Sequence, residues 1–233
     1  MALVVGLSVL LVAGHLAFRF SCYELYRMPS TSMAPSLVVG DHFFVNKLTY
    51  GIRLPFGSQR YFPRLPERGD VIVFTPPGDP AATDHVKRVI GLPGERVDVR
   101  DRHVFINGAP LESTAPTPLD LDGNGDRPRD QKQGAVPRYL EFEETAGAHH
   151  YPVLESPNQP VVGTQEGTWT VLPGHVFVLG DNRDNSLDSR FDAGPNGYGQ
   201  VPLSAVKGRV GRIWLSYGGE RGLRTSRMGA ATP

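Results

Sequence analysis

Asp84-His85-Val86-Lys87-Arg88-Val89-Ile90-Gly91-Leu92-Pro93-Gly94-Glu95 is the stretch on which the fold turns. Val86, Val89 and Ile90 are β-branched, and the Gly-Leu-Pro-Gly that follows is turn chemistry, so the run predicts a short strand and a sharp exit. Lys87 sits inside that apolar run. Most strand lysines lie on a solvated face; one held among β-branched neighbours is placed to lose its charge. At its reference pKa only about 0.04% of a lysine is neutral at pH 7. Lowering that pKa by roughly three units costs the ammonium about 4 kcal/mol, which burial can supply.

Outward from this run the same texture recurs. Short apolar runs at 42–45, 71–74, 97–99, 104–106, 176–179 and 210–215 are bounded by Gly, Pro, Asn or Asp, and each predicts a strand. Asn107-Gly108 is a hairpin signal after the run at 104–106. After residue 28 no long segment shows helical periodicity, and no internal repeat is present. The 27 glycines and 21 prolines agree with short strands and many turns. The fold class is therefore mostly β. Residues 109–168 are richer in Pro, Gly, Asp, Glu and Thr and read as an insert, since strand patterning resumes at 169–179. The expected division is a core of 28–108 and 169–218 with a smaller inserted β/loop domain at 109–168.

Residues 1–18 carry no Asp, Glu, Lys or Arg, and Arg19 ends the run. That length is just enough for a spanning helix, so residues 1–20 are expected to be a transmembrane anchor. A cleaved leader would show a positive start and an Ala-x-Ala-like site, and neither is there. The positive-inside rule would place Arg19 and Arg27 in the cytoplasm; a longer start with basic residues would reverse that. Lys+Arg and Asp+Glu both number 24, with none of the basic excess of a nucleic-acid binder. Cys22 is the only cysteine, which excludes an internal disulfide and a thiolate metal cluster.

Two further segments carry chemistry. Met28-Pro29-Ser30-Thr31-Ser32-Met33-Ala34-Pro35-Ser36-Leu37 packs three hydroxyls between prolines that fix φ and discourage helix, a rigid way to present a hydroxyl. Gly180-Asp181-Asn182-Arg183-Asp184-Asn185-Ser186-Leu187-Asp188-Ser189-Arg190 follows an apolar strand and is too rich in charge and amide groups for a simple turn.

Taken together, in this order and over most of the chain, the three segments resemble the boxes of type I signal peptidases. Gly40-Asp41 through Lys47, Tyr50-Gly51-Ile52, and Arg68-Gly69-Asp70-Val71-Ile72-Val73-Phe74 look like further boxes of that family. The resemblance implies Ser32 as nucleophile and Lys87 as general base. It implies an oxyanion hole from the Ser32 N–H and the Ser30 hydroxyl, and Ser186 orienting the Lys87 amine. Asp181 with Arg88, and Asp188 with Arg190, would be supporting ion pairs. It implies a signal-peptidase-like β-fold whose edge strand pairs with an extended preprotein signal peptide, cut after an Ala-x-Ala-like site. No metal, no organic cofactor and no nucleic acid are implied. The lipid bilayer is the other partner: a monomer is expected, single-pass in the inner membrane with its catalytic domain on the outer side.

The chain departs from the family pattern at 191–200, where a longer loop precedes Val201-Pro202, and at Thr31, where Gly is frequent and a positive φ would be strained. Asp120 to Gln131 begins like a calcium loop but has Pro128 and Gln131 where ligands belong. His149-His150 lacks a third ligand at useful spacing. Asp84-His85 suggests a Ser-His-Asp site, yet no Gly-x-Ser-x-Gly elbow occurs. Two competing functions share these features: a maturation peptidase dedicated to one secretion or conjugation substrate, and an inactive membrane-tethered peptide-binding domain. A self-cleaving repressor would need a DNA-binding domain where the apolar run stands.

Overall fold

The computed structural model describes residues 22–53, 60–78, 83–119, 139–156, 165–194, 197–218 and 222–232, with single positions 6, 8, 81, 121 and 162. The anchor expected at 1–20 and the calcium-like loop lie almost wholly outside the described residues. No helix among the described residues is long and apolar enough to cross a membrane.

The described residues include seventeen strands: β1 (Tyr23–Arg27), β2 (Asp41–Asn46), β3 (Ile52–Arg53), β4 (Arg60–Tyr61), β5 (Val71–Phe74), β6 (His85–Gly91), β7 (Arg96–Arg100), β8 (His103–Ile106), β9 (Ala109–Pro110), β10 (Glu112–Ser113), β11 (Thr117–Leu119), β12 (Tyr139–Ala146), β13 (His149–Glu155), β14 (Gly167–Thr170), β15 (His175–Leu179), β16 (Val201–Pro202) and β17 (Val206–Ser216). All seven apolar runs of the sequence became strands. The principal sheet runs β1-β2-β17-β5-β6-β15-β16.

This sheet is buried on both faces at its centre, which is why its strands read as continuous apolar runs rather than alternations. On β5, Val71 and Val73 join a core with Met28, Met33, Phe43 and Val45. Ile72 and Phe74 point the other way, into a core with Tyr50, Val89, Val178 and Val206. Such burial stabilises each side chain by roughly 1.5–3 kcal/mol.

A second sheet runs β14-β7-β8-β9. Its hairpin turn is Asn107-Gly108, both at positive φ, joining the Ile106↔Ala109 pair. The region read as an insert is richer in strands than its composition suggested: β10, β11 and β13 all pair with β12. Ala146, Tyr151 and Val153 from it share one core with Ile90 of β6, Val97 of β7, and Phe177 and Leu179 of β15. β9 and β14, at the two ends of the region, pair with β8 and β7.

Candidate active site

The site is built where the β1–β2 connection meets β6 and the loop after β15. β1 ends at Arg27, and the chain turns through Met28–Gly40 before returning as β2, with Met28 N–H on Asp41 O and Gly40 N–H on Met28 O. Met33 and Ala34 are fully buried and pin the turn to the core, so the adjacent Ser32 stays half-buried at its rim.

Lys87 stands on β6 opposite Ile72 of β5 and is only 4% exposed. Its Nζ donates to Ser32 Oγ at 2.8 Å. Burial is the dominant influence on this amine; Asp188 and Asp181 oppose it, Arg190 adds to it, and the net effect pushes the pKa down to about 8. Ser30 Oγ lies 3.2 Å from Ser32 Oγ on the exposed side of the turn. β15 pairs with β6 only at Arg88, Val89 and Gly91, so it stops short of Lys87.

Arg88, the next residue, is wholly buried. Its Nε and Nη2 donate to the two Asp181 carboxylate oxygens at 2.8 and 2.7 Å, and Nη1 donates to Gly69 O at 2.8 Å. The guanidinium lies 3.8 Å from the Tyr151 ring centre. Asp188 is also wholly buried and accepts Arg190 Nε and Nη2 at 2.8 and 2.9 Å. Burial works to raise the Asp188 carboxyl, but Arg190 and the Gly180 N–H hold it below the usual carboxylate range. Both sequence-expected ion pairs are thus present as bidentate contacts, the geometry that best offsets desolvation.

Two residues singled out from sequence are placed as follows. Ser186 Oγ is buried and makes no hydrogen bond to Lys87 in this structure. Thr31 is not at positive φ, and the side chain that Gly would lack is used, its Oγ1 accepting from Asn185 Nδ2 at 2.6 Å.

Other contributors were not singled out from sequence. Asn182 N–H donates to Ser32 O at 3.1 Å, and Asn182 Nδ2 donates to Thr31 O at 3.1 Å. Gly180 is required because a Cβ there would collide with Ser186 and lie 2.6 Å from Ser32 O. Arg183 forms a buried bidentate pair with Glu144, and Arg102 pairs with Asp184 at 2.8 Å. The loop's polarity signalled a network; Glu144 and Arg102, 39 and 82 residues from their partners, carried no signal of their own.

A hydroxyl touching a buried amine of lowered pKa, with carboxylates and guanidiniums paired behind it, is an arrangement equipped for acyl transfer. The chain matches the signal peptidase, peptidase S26 family over residues 1–215. It is 38% identical over 208 residues to signal peptidase I of Pseudomonas fluorescens, covering 87% of this chain and 68% of that one. Against signal peptidase I of Pseudomonas aeruginosa it is 34% identical with the same coverages, and against that of Rickettsia typhi 31% identical, covering 86% and 75%. The chain belongs to the signal peptidase family, peptidase S26.

Proposed function

We infer that this chain is a serine endopeptidase, a type I signal peptidase, that removes N-terminal signal peptides from exported preproteins after an Ala-x-Ala-like site. One observation carries the mechanism: the buried Lys87 amine within 2.8 Å of Ser32 Oγ. Deprotonated, the amine turns that bond around and accepts the Ser32 proton as Oγ attacks the scissile carbonyl. A tetrahedral oxyanion forms, facing the Ser32 N–H and the Ser30 hydroxyl. Lys87 then passes its proton to the leaving amine, and water repeats the sequence on the ester. Ser186, buried on the loop that carries Asp181 and Asp188, is our choice for the group that orients Lys87 once substrate is bound. Because β15 stops at Arg88, an extended substrate has room to add alongside Val86 and Lys87.

Membrane attachment belongs to this reading. Residues 1–20 form the anchor, and the catalytic core is 28–108 with 169–218, interrupted by 109–168. Exposed Leu25, Phe44 and Trp214 support it: Leu25 and Phe44 are register partners, and Phe44 and Trp214 lie 6.4 Å apart, on β1, which follows residues 1–20, and its neighbours β2 and β17.

Cleavage of a preprotein bearing an Ala-x-Ala site, in detergent, tests the reading. The unaltered chain cuts after the second Ala, while Ser32→Ala and Lys87→Ala, both folded, lose about a thousandfold or more in rate. An intact preprotein with the unaltered chain would sink the general peptidase reading.

A further inference from the structure

The nucleophile segment hangs on one loop, and inserted strands hold that loop in place. Asn182 and Asn185 make three bonds to Thr31 and Ser32. The 181–184 stretch is in turn bonded to the end of β13 and the residue after it. Leu154 N–H donates to Asp181 O at 2.8 Å and pairs in parallel with Asn182, and Ser156 N–H donates to Asp184 Oδ2 at 2.7 Å.

The strongest side-chain tie is Glu144 of β12 with Arg183. Glu144 is 3% exposed and takes both Arg183 Nη groups, one on each carboxylate oxygen. Arg183 Nε is buried without a partner, so the guanidinium depends on Glu144 for its orientation. Arg183 O accepts Arg190 Nη2 at 2.6 Å, and Arg190 holds Asp188. Glu144 also accepts the Tyr151 hydroxyl at 3.0 Å, and the Tyr151 ring lies under Arg88, the partner of Asp181. One carboxylate on the inserted sheet therefore braces both ion pairs that flank Lys87. Resting on the peptidase reading of Ser32 and Lys87, we propose that Glu144 is a positioning residue for that pair, acting through Arg183 on the 180–190 loop.

Charge and shape both matter here. The charges that act on Lys87 are Asp188, Asp181 and Arg190, and all three sit on the braced loop. If the loop loosens, water reaches the amine, the burial that depresses it weakens, and Lys87 returns toward its ordinary value. A displacement of about 1 Å at a reacting pair costs on the order of a hundredfold in rate.

The test uses the full chain in detergent, with Glu144→Gln, which keeps volume and one acceptor. We measure kcat and KM on the Ala-x-Ala preprotein, the pH at which activity is half-maximal, melting, and amide exchange of the 181–186 stretch. The expected result is a folded protein with kcat down about ten- to a hundredfold, KM within about twofold, and a half-maximum displaced to higher pH. The double variant Glu144→Met with Arg183→Met replaces the pair by apolar side chains and recovers melting without recovering kcat. A folded Glu144→Gln with unaltered kcat and half-maximum overturns the proposal, as does a double variant that recovers kcat. If the unaltered chain leaves the preprotein uncut, the peptidase reading fails by itself. Exchange still decides the brace: faster exchange at 181–186 in Glu144→Gln upholds it, and unchanged exchange overturns it.

Discussion

At position 87 the burial that disfavours the ammonium also makes a base available near neutral pH. With the pKa near 8, roughly a tenth of Lys87 is neutral at pH 7, against about 0.04% for a free lysine. Activity should therefore rise with pH through an inflection near 8 in a preprotein-cleavage profile, flat only above it. The same shift bears on stability with a definite sign. Between pH 8 and 10.5 the unfolded chain holds the Lys87 proton and the folded chain has released it, so folding becomes more favourable as pH rises through that window. Below pH 8 the full penalty is present. Lys87→Met should accordingly abolish cleavage yet stabilise the fold at pH 7 by on the order of 3 kcal/mol, with the gain fading toward pH 10.5 in parallel melts. A variant less stable than the parent at pH 7 contradicts this account of the base. Arg88 behaves oppositely. Arg88→Lys replaces a planar fork by a point charge facing Asp181 in a wholly buried site, and should cost about 3 kcal/mol in denaturant unfolding.

Among the elements, the Met28–Gly40 turn and the loop after β15 must approach closely, and Gly180 stands at that approach. Gly180→Ala pushes a methyl against Ser186 and the Ser32 carbonyl, and one of them must move. Melting should fall by about 2 kcal/mol equivalent and kcat by about a hundredfold, since the displaced group is the nucleophile's own peptide. An active Gly180→Ala would mean the loop has slack that the geometry denies. The sequence disclosed those elements whose burial is two-sided: β5, β6 and β15 announce themselves as apolar runs because both faces are covered. It disclosed β12 poorly. Glu141, Glu143 and Glu144 break its apolar pattern, and only tertiary contact with Arg183 explains why Glu144 is buried while Glu143 is exposed. Ser32, Lys87 and the two flanking ion pairs were legible only through the joint resemblance of three segments to signal peptidase boxes, since each segment alone fits a linker, a solvated strand or a polar turn. The lack of a bond from Ser186 to Lys87 and the use of Thr31 Oγ1 were not, because hydroxyl rotation and partner choice leave no trace in a sequence.

For the whole molecule, the proposed membrane attachment predicts which face meets lipid. Three of the exposed apolar residues gather: Leu25, Phe44 and Trp214 lie on three neighbouring strands, β1, β2 and β17, at one edge of the main sheet. Left in water, such a face costs roughly 25 cal/mol for each Å² it exposes, and burying even half of each ring is favourable. On the proposed reading a bilayer anchoring residues 1–20 would be the nearest apolar phase, and Trp is suited to its interface. The chain has two tryptophans, and Trp169 packs against the core formed with Phe177. In a Trp169→Phe background, emission therefore reports on Trp214 alone. Reconstituted into vesicles whose acyl chains carry bromine near the headgroup, this variant should lose most of its emission, and less when the bromine sits deep in the chains. Equal emission in brominated and plain vesicles would place Trp214 in water. Cleavage would then have to draw its substrate away from the membrane, rather than at the surface where a signal peptide emerges.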